Sequence, residues 1–206
     1  MRLFTLILMF LAFNFLSAQE IINLPAPSKS GGKPLRDCLN ERHSSRIFQN
    51  KAIPEQVLSD LLWAADGVNR PESGKRTAPS SMGYQEITIY VTLETGTFAY
   101  DPLTHQLRRI NQEDMRVFTG KQDFVGTAPL NLVYVADFSK TKGRSESQRN
   151  ASAANAGFIA QNVYLFCASE NLGCVVRGYF DGKEIAEKFQ LNENQEVILC
   201  QTVGYE

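Results

Sequence analysis

The chain has 206 residues, 43% of them hydrophobic, with 21 basic against 22 acidic side chains. That length builds one domain with a sizeable core and hardly two. A near-neutral balance, −1 overall, gives no sign of nucleic-acid or polybasic membrane binding; the expected partners are small molecules or a second copy of the chain.

Arg2 is followed by an apolar run from Leu3 to Leu16, then by Ser17 and Ala18. A positive start, an apolar stretch too short for a comfortable membrane span and a small residue at the end together predict a signal peptide over 1–18, and hence an exported, periplasmic or extracellular protein with no stable membrane insertion after cleavage. The same run also fits an N-terminal anchor or a buried helix. Residues 19–34 are rich in Pro, Gly and Ser around an apolar patch from Ile21 to Pro25 and read as a surface arm, leaving 35–206 as a single domain. Leu35 to Glu41 predicts a short helix. Pro54 and Glu55 open a second, in which Val57, Leu58, Leu61, Leu62 and Ala65 recur at helical spacing up to Gly67.

Asn69 to Gly83 reads as a long loop, of the kind that binds something or is disordered. Ile87, Ile89 and Val91 alternate with Thr88, Tyr90 and Thr92, so Glu86 to Leu93 is a strand, with partners expected at Thr97 to Tyr100 and Gln106 to Ile110. His105 falls in the intervening turn and is expected at the surface. A short helix is expected over Asp114 to Thr119 and a central strand over Leu130 to Ala136. Lys140 to Arg149 is charged, a solvated loop or an anion patch. Ala151 to Asn171 is the dominant helix, apolar on most faces and therefore buried on several sides by the sheet or by a second subunit, with Gly173 as its stop. Cys174 to Val176, Gly182 to Phe189 and Glu196 to Val203 complete a strand, a helix and a strand. Strands and helices mix without regular alternation or a glycine fingerprint, which is α+β and not a dinucleotide-binding doubly wound fold. The four cysteines, Cys38, Cys167, Cys174 and Cys200, lack metal-ligand spacing, and most are expected as buried free thiols, though an oxidising compartment would permit disulfides.

Three clusters could carry chemistry. RHSSR, Arg42 to Arg46, sets two guanidiniums around two hydroxyls, suited to a phosphate monoester; a solvated polar loop would read the same. TAPSSMGYQE, Thr77 to Glu86, puts small hydroxyls and a glycine before a strand, where backbone can approach a planar heterocycle. LGCVVRGY, Leu172 to Tyr179, flanks a short strand with glycines, so that a backbone N–H could meet a ring nitrogen or merely form a turn. There is no G-x-S-x-G, no Walker loop and no convincing Ser/His/Asp set, so a bound cofactor should hold the reactive atoms.

Taken in order, RHSSRIF, LLWAADGVNRPESGKRTAPSSMGYQEITIYV, FVGTAPLNLVYVAD and NAGFIAQNVYLFCASENLGCVVRG resemble the nitroreductase family of FMN-dependent flavoproteins across essentially the whole mature sequence. The resemblance implies a central, mostly antiparallel sheet flanked by helices, in an interlocked homodimer with FMN at the interface. It implies that Arg42, His43, Ser44 and Arg46 hold the phosphate, and that Pro79, Ser80, Ser81, Gly83 and Gln85 line the ribityl chain and ring edge. Val176, Arg177 and Gly178 would lie along the isoalloxazine; apart from the resemblance, Tyr84, Arg177 and Tyr179 are the side chains expected to contact substrate. The implied reaction is ping-pong transfer through flavin N5 to a small organic substrate, with a nitroaromatic or quinone acceptor and a nicotinamide or other donor; the alternative is a non-catalytic FMN- or ligand-binding homodimer. Two departures stand out: Gly83 occupies a position that is often asparagine, and no basic residue follows the last strand, so that Arg76, Lys142 or Arg144 would have to substitute at the phosphate.

Overall fold

The computed structural model describes residues 20–206; the expected signal peptide lies outside them. Seven strands form one antiparallel sheet in the order β1-β6-β5-β4-β7-β9-β8. They are β1 (Ile21–Asn23), β4 (Ile87–Leu93), β5 (Gly96–Asp101), β6 (Gln106–Asn111), β7 (Leu130–Asp137), β8 (Gly173–Arg177) and β9 (Gln195–Gly204). A two-stranded ribbon, β2 (Val68–Arg70) and β3 (Lys75–Arg76), stands apart. The helices are α1 (Leu35–Glu41), α2 (Glu55–Asp66), α3 (Glu146–Glu170) and α4 (Gly182–Lys188).

The period-2 alternation of the central strands sorts the core into two layers. Leu130, Leu132, Tyr134 and Ala136 of β7, with Ile87, Ile89 and Val91 of β4, belong to the layer under α2 and α3. Val133 and Val135, with Tyr90, belong to the opposite layer, against Ile185 of α4 and Phe189 just past its end. The α3 side chains that meet the sheet are Ser152, Asn155, Ala156, Ile159, Ala160, Val163 and Cys167, one stripe at helical spacing. Gln201 of β9 links the sheet to α3 within the first layer, accepting from Tyr134 Oη and donating to the Ala160 carbonyl.

Several expectations need correction. The arm is no loose surface segment: Ile21 to Asn23 pair with Gln106 to Arg108 as the edge strand of the sheet, because the Ile21–Pro25 apolar patch finds a strand edge to complete. The 69–83 stretch holds the β2–β3 ribbon and two 3-10 turns, since Gly74 takes the left-handed conformation (φ 61°) that lets the chain reverse there. The charged segment after Lys140 does not stay a loop up to Arg149. Ser145 caps α3, accepting from the Gln148 N–H, so the helix begins at Glu146. Asn171 in the left-handed region (φ 55°) ends it. Gly173 instead begins β8, where a Cβ would come within 2.8 Å of the Ser45 side chain. His105 is half-buried, bonded to Ser59 and Tyr100.

Candidate functional site

The first and third clusters meet at the sheet edge. The Ser45 N–H donates to the Cys174 carbonyl at 3.0 Å, so the Arg42–Arg46 segment runs against β8. Tyr164 of α3, which the sequence did not single out, joins them a second time: its hydroxyl bonds Ser44 Oγ at 2.9 Å and accepts from the Val176 N–H at 3.0 Å. The Arg42 guanidinium lies over the Tyr164 ring, 5.2 Å from its centre. Arg46 is exposed, and its side chain makes no hydrogen bond or ion pair with any described residue.

His43 is engaged elsewhere. Its Nδ1 bonds the Glu41 carbonyl at 2.9 Å and its Nε2 the Glu206 carboxylate at 2.7 Å. The Glu41 carbonyl and then Glu206 raise the His43 pKa above its ordinary value. Bonding from Ser45, then from His43, holds the Glu206 carboxyl low. The acid beside the loop is thus matched by His43 and Ser45, leaving both arginines without a carboxylate partner among the described residues.

At the far end of β8 the strand releases Gly178, which is exposed and where an added Cβ would meet nothing within 4 Å. Tyr179 follows, 70% exposed. Arg177 does not face substrate as expected. It is 3% exposed, its guanidinium donating to the Thr119 carbonyl at 2.6 Å, to Thr202 Oγ1 at 2.9 Å and to Asn131 Oδ1 at 3.1 Å. Burial lowers its pKa. The side chain pins the end of β8 and so places Gly178.

The second cluster sits on the other half of α3. The Ser81 N–H and Oγ both donate to Asn155 Oδ1, at 3.1 and 3.0 Å. Ser80 Oγ accepts from the Gln85 N–H and donates to Glu86. The Glu86 side chain, 1% exposed, also accepts from Ser152 Oγ and Asn155 Nδ2, each at 2.8 Å. These bonds hold a loop in which Met82 (φ 55°), Gly83 (φ 69°) and Gln85 (φ 49°) are all left-handed. Gly83 presents an open face, with nothing within 4 Å of an added Cβ. Pro79 is exposed, and Gln85 Nε2 donates to the Gly74 carbonyl. Tyr84 is half-buried. Beside the loop, Arg76 binds Asp66 at 2.5 Å, and burial pushes the Asp66 carboxyl up to about 7 against that pull. Arg76 is therefore committed to Asp66, away from the 42–46 cluster. Ser152, Asn155 and Glu86 were also missed; their signal was a pair of polar residues three apart inside an apolar helix and an acid opening an apolar strand.

One helix thus carries both halves. Asn155 and Tyr164 lie nine positions apart, about 14 Å along α3; within one chain the 79–85 loop and the 42–46 cluster are separate. The cysteines supply no nucleophile: all four are free and buried, and burial pushes the Cys200 thiol up to about 12.

Fold and site together define an α+β protein with an unpaired arginine loop docked on an edge strand and a serine–glycine loop docked on its longest helix. The chain belongs to the nitroreductase family, whose family model matches residues 39–205. A nitroreductase-type relative from Methanocaldococcus jannaschii is 33% identical over 171 residues, covering 77% of this chain and 85% of that protein. A solved nitroreductase-type structure from Ralstonia eutropha is 45% identical with a TM-score of 0.86, covering 92% of this chain and 90% of that one. NADPH:FMN oxidoreductase of Vibrio harveyi, solved with NAD+, shares the fold at 20% identity and a TM-score of 0.64, over 83% of this chain and 68% of that one. By its family membership the chain is an oxidoreductase.

Proposed function

We propose that this protein is an FMN-dependent oxidoreductase, exported from the cytoplasm, in which two copies of the chain complete each flavin site. The observation that carries the reading is the Ser45–Cys174 backbone bond. It sets a loop with two arginines free of carboxylates at one end of β8, while the open backbone of Gly178 lies at the other. From Cys174 to Gly178 the strand advances on the order of 13 Å, room for a ribityl chain to run along it.

The residues fit the cofactor. Arg42, Arg46 and Ser44 would hold its phosphate through charge-assisted hydrogen bonds. Gly178 would admit the ring, since nothing lies within 4 Å of a Cβ added there. Two-electron transfer through N5 is the chemistry the bound cofactor supplies. The chain's own part is to orient the ring, to shield it from water and to leave one face open for a small organic substrate in a ping-pong cycle. Export places the protein where nicotinamides are scarce, so its donor is a different small reductant. The 79–85 loop, separated from the arginines on α3, would reach the cofactor held by a second copy.

An ultraviolet–visible spectrum after reconstitution with FMN, followed by anaerobic titration with NADH and NADPH, tests the reading. Flavin bands that persist with nicotinamides and bleach with another donor are the expected result. Rapid bleaching by NADH would overturn the assignment of the donor. Absence of flavin bands would overturn the cofactor assignment itself.

A further inference from the structure

A groove of about 770 Å3 opens beside Tyr179, one residue beyond Gly178, and reaches residues of α4, the start of β9 and the first turn of α3. Four cations line it: Lys121, Arg144, Arg149 and Lys183. The nearby carboxylates are already engaged. Glu184 pairs with Lys121 at 2.9 Å, and Asp181 accepts from the backbone N–H groups of Lys183 and Glu184. Glu196 is shared by Arg149 and Arg144, at 3.3 and 3.6 Å. Lys183 is exposed; its ammonium makes no hydrogen bond or ion pair with a described residue and acts on Asp181 only at longer range, so four cations face the three acids Asp181, Glu184 and Glu196. The groove therefore carries positive charge that its own acids do not balance. Tyr179, 70% exposed, and Phe180 add aromatic surface to the same wall.

Unbalanced cations beside aromatic rings select a ligand with two properties. A carboxylate or phosphate group meets the guanidinium fork of Arg149 and the ammonium of Lys183, and a flat body packs on Tyr179. We propose that this groove binds a planar organic anion, through Arg149 and Lys183 at its charged end and Tyr179 against its face. Because the groove begins one residue beyond the strand end that would admit the flavin ring, the anion is the class of small substrate delivered to that ring. This last step rests on the flavin reading; binding of the anion does not.

Calorimetric titration of the full chain, with and without FMN, tests it with 2-naphthoate against the neutral isostere 2-naphthalenemethanol. The acid is expected to bind roughly tenfold tighter at low salt, with the margin shrinking as ionic strength rises. Arg149→Gln with Lys183→Gln is expected to erase the margin, and Tyr179→Ala to weaken both ligands alike. Lys183→Gln alone, at an exposed side chain, is expected to reduce the margin without disturbing Glu196. Equal affinity for acid and alcohol overturns the proposal, as does a margin unchanged in the double variant. Inorganic phosphate competing as well as naphthoate overturns its aromatic half. A margin present without FMN, in a protein that retains no flavin, sinks the flavin reading and keeps the groove; the reverse result sinks the groove and keeps the flavin.

Discussion

Two arginines of the candidate site show how one residue type serves opposite ends. Arg46 is exposed and bonded to nothing among the described residues, so it costs the fold little to remove and is free for an anion. Arg177 is a buried cation with no carboxylate partner among the described residues, satisfied by neutral oxygens of Thr119, Asn131 and Thr202. Gly120 makes room for it, since a Cβ there would come within 1.9 Å of the Arg177 guanidinium. Arg46→Ala is therefore expected to leave the urea midpoint unchanged and to weaken FMN retention roughly tenfold, the loss of one charge-assisted contact. Arg177→Lys is expected to do the reverse. An ammonium cannot reach three oxygens in the guanidinium's plane, and the orphaned acceptors should cost about 3 kcal/mol of stability at fixed protein concentration. A destabilised Arg46→Ala variant, or an Arg177→Lys protein as stable as wild type, would reverse these assignments. The arginine-rich loop was legible because its residues are neighbours in sequence. The burial of Arg177 was not, because its acceptors come from positions 46 to 58 residues earlier and 25 later.

Elements are held by bonds that local pattern reports unevenly. The periodic apolar residues of α2 and the alternation of β4 gave both elements nearly to the residue, since each signal lies within its own element. The start of α3 was obscured by its charged first turns, and β1 by lying 83 residues from the strand it joins. The second loop depends on such a distant bond, from Ser81 to Asn155. Asn155→Ala should free the Ser81 amide and let Met82 and Gln85 leave their left-handed conformations. Faster hydrogen exchange at Ser81, with α3 amides still protected, is the expected signature; unchanged exchange would show that Glu86 and Ser80 hold the loop alone.

The arm offers a pH test at the same scale. Ser59 Oγ spends its proton on the Pro25 carbonyl at 2.6 Å, so His105 Nε2 donates to Ser59 and the neutral ring accepts from Tyr100 at Nδ1. Burial lowers the His105 pKa below its ordinary 6.5. A base whose folded pKa is depressed contributes stability that is present above the unfolded value and lost as pH falls through the folded one. The Leu24 N–H, which bonds the His105 carbonyl, should lose protection as pH drops below 6.5. His105→Asn, an amide that tolerates the left-handed φ of 55° at this position, should flatten that dependence, and a pH profile that survives the substitution would assign it to another group.

At the scale of the whole molecule, the two loops of the proposed site lie about 14 Å apart along α3, and the surface carries apolar side chains that no neighbour covers. Ile47 is 81% exposed beside the arginine loop, and Phe158 is 45% exposed on α3 between Asn155 and Tyr164. Leu35 and Leu39 of α1 are more than half exposed as well. A second copy seated over these residues would bury them and bring its 79–85 loop toward the first copy's arginines, so that dimerisation and cofactor retention become one equilibrium. Interlocked subunits bury well over 2,000 Å2 on typical figures, and a single charge on the rim of such an interface leaves it intact. Charges at two central apolar positions do not. Ile47→Arg with Phe158→Arg is expected to give a monomer by light scattering and to lose FMN together with the dimer, while each arginine of the 42–46 loop remains in place. A monomer that keeps its flavin would place the entire site within one chain; a dimer that survives both charges would put the interface on another face.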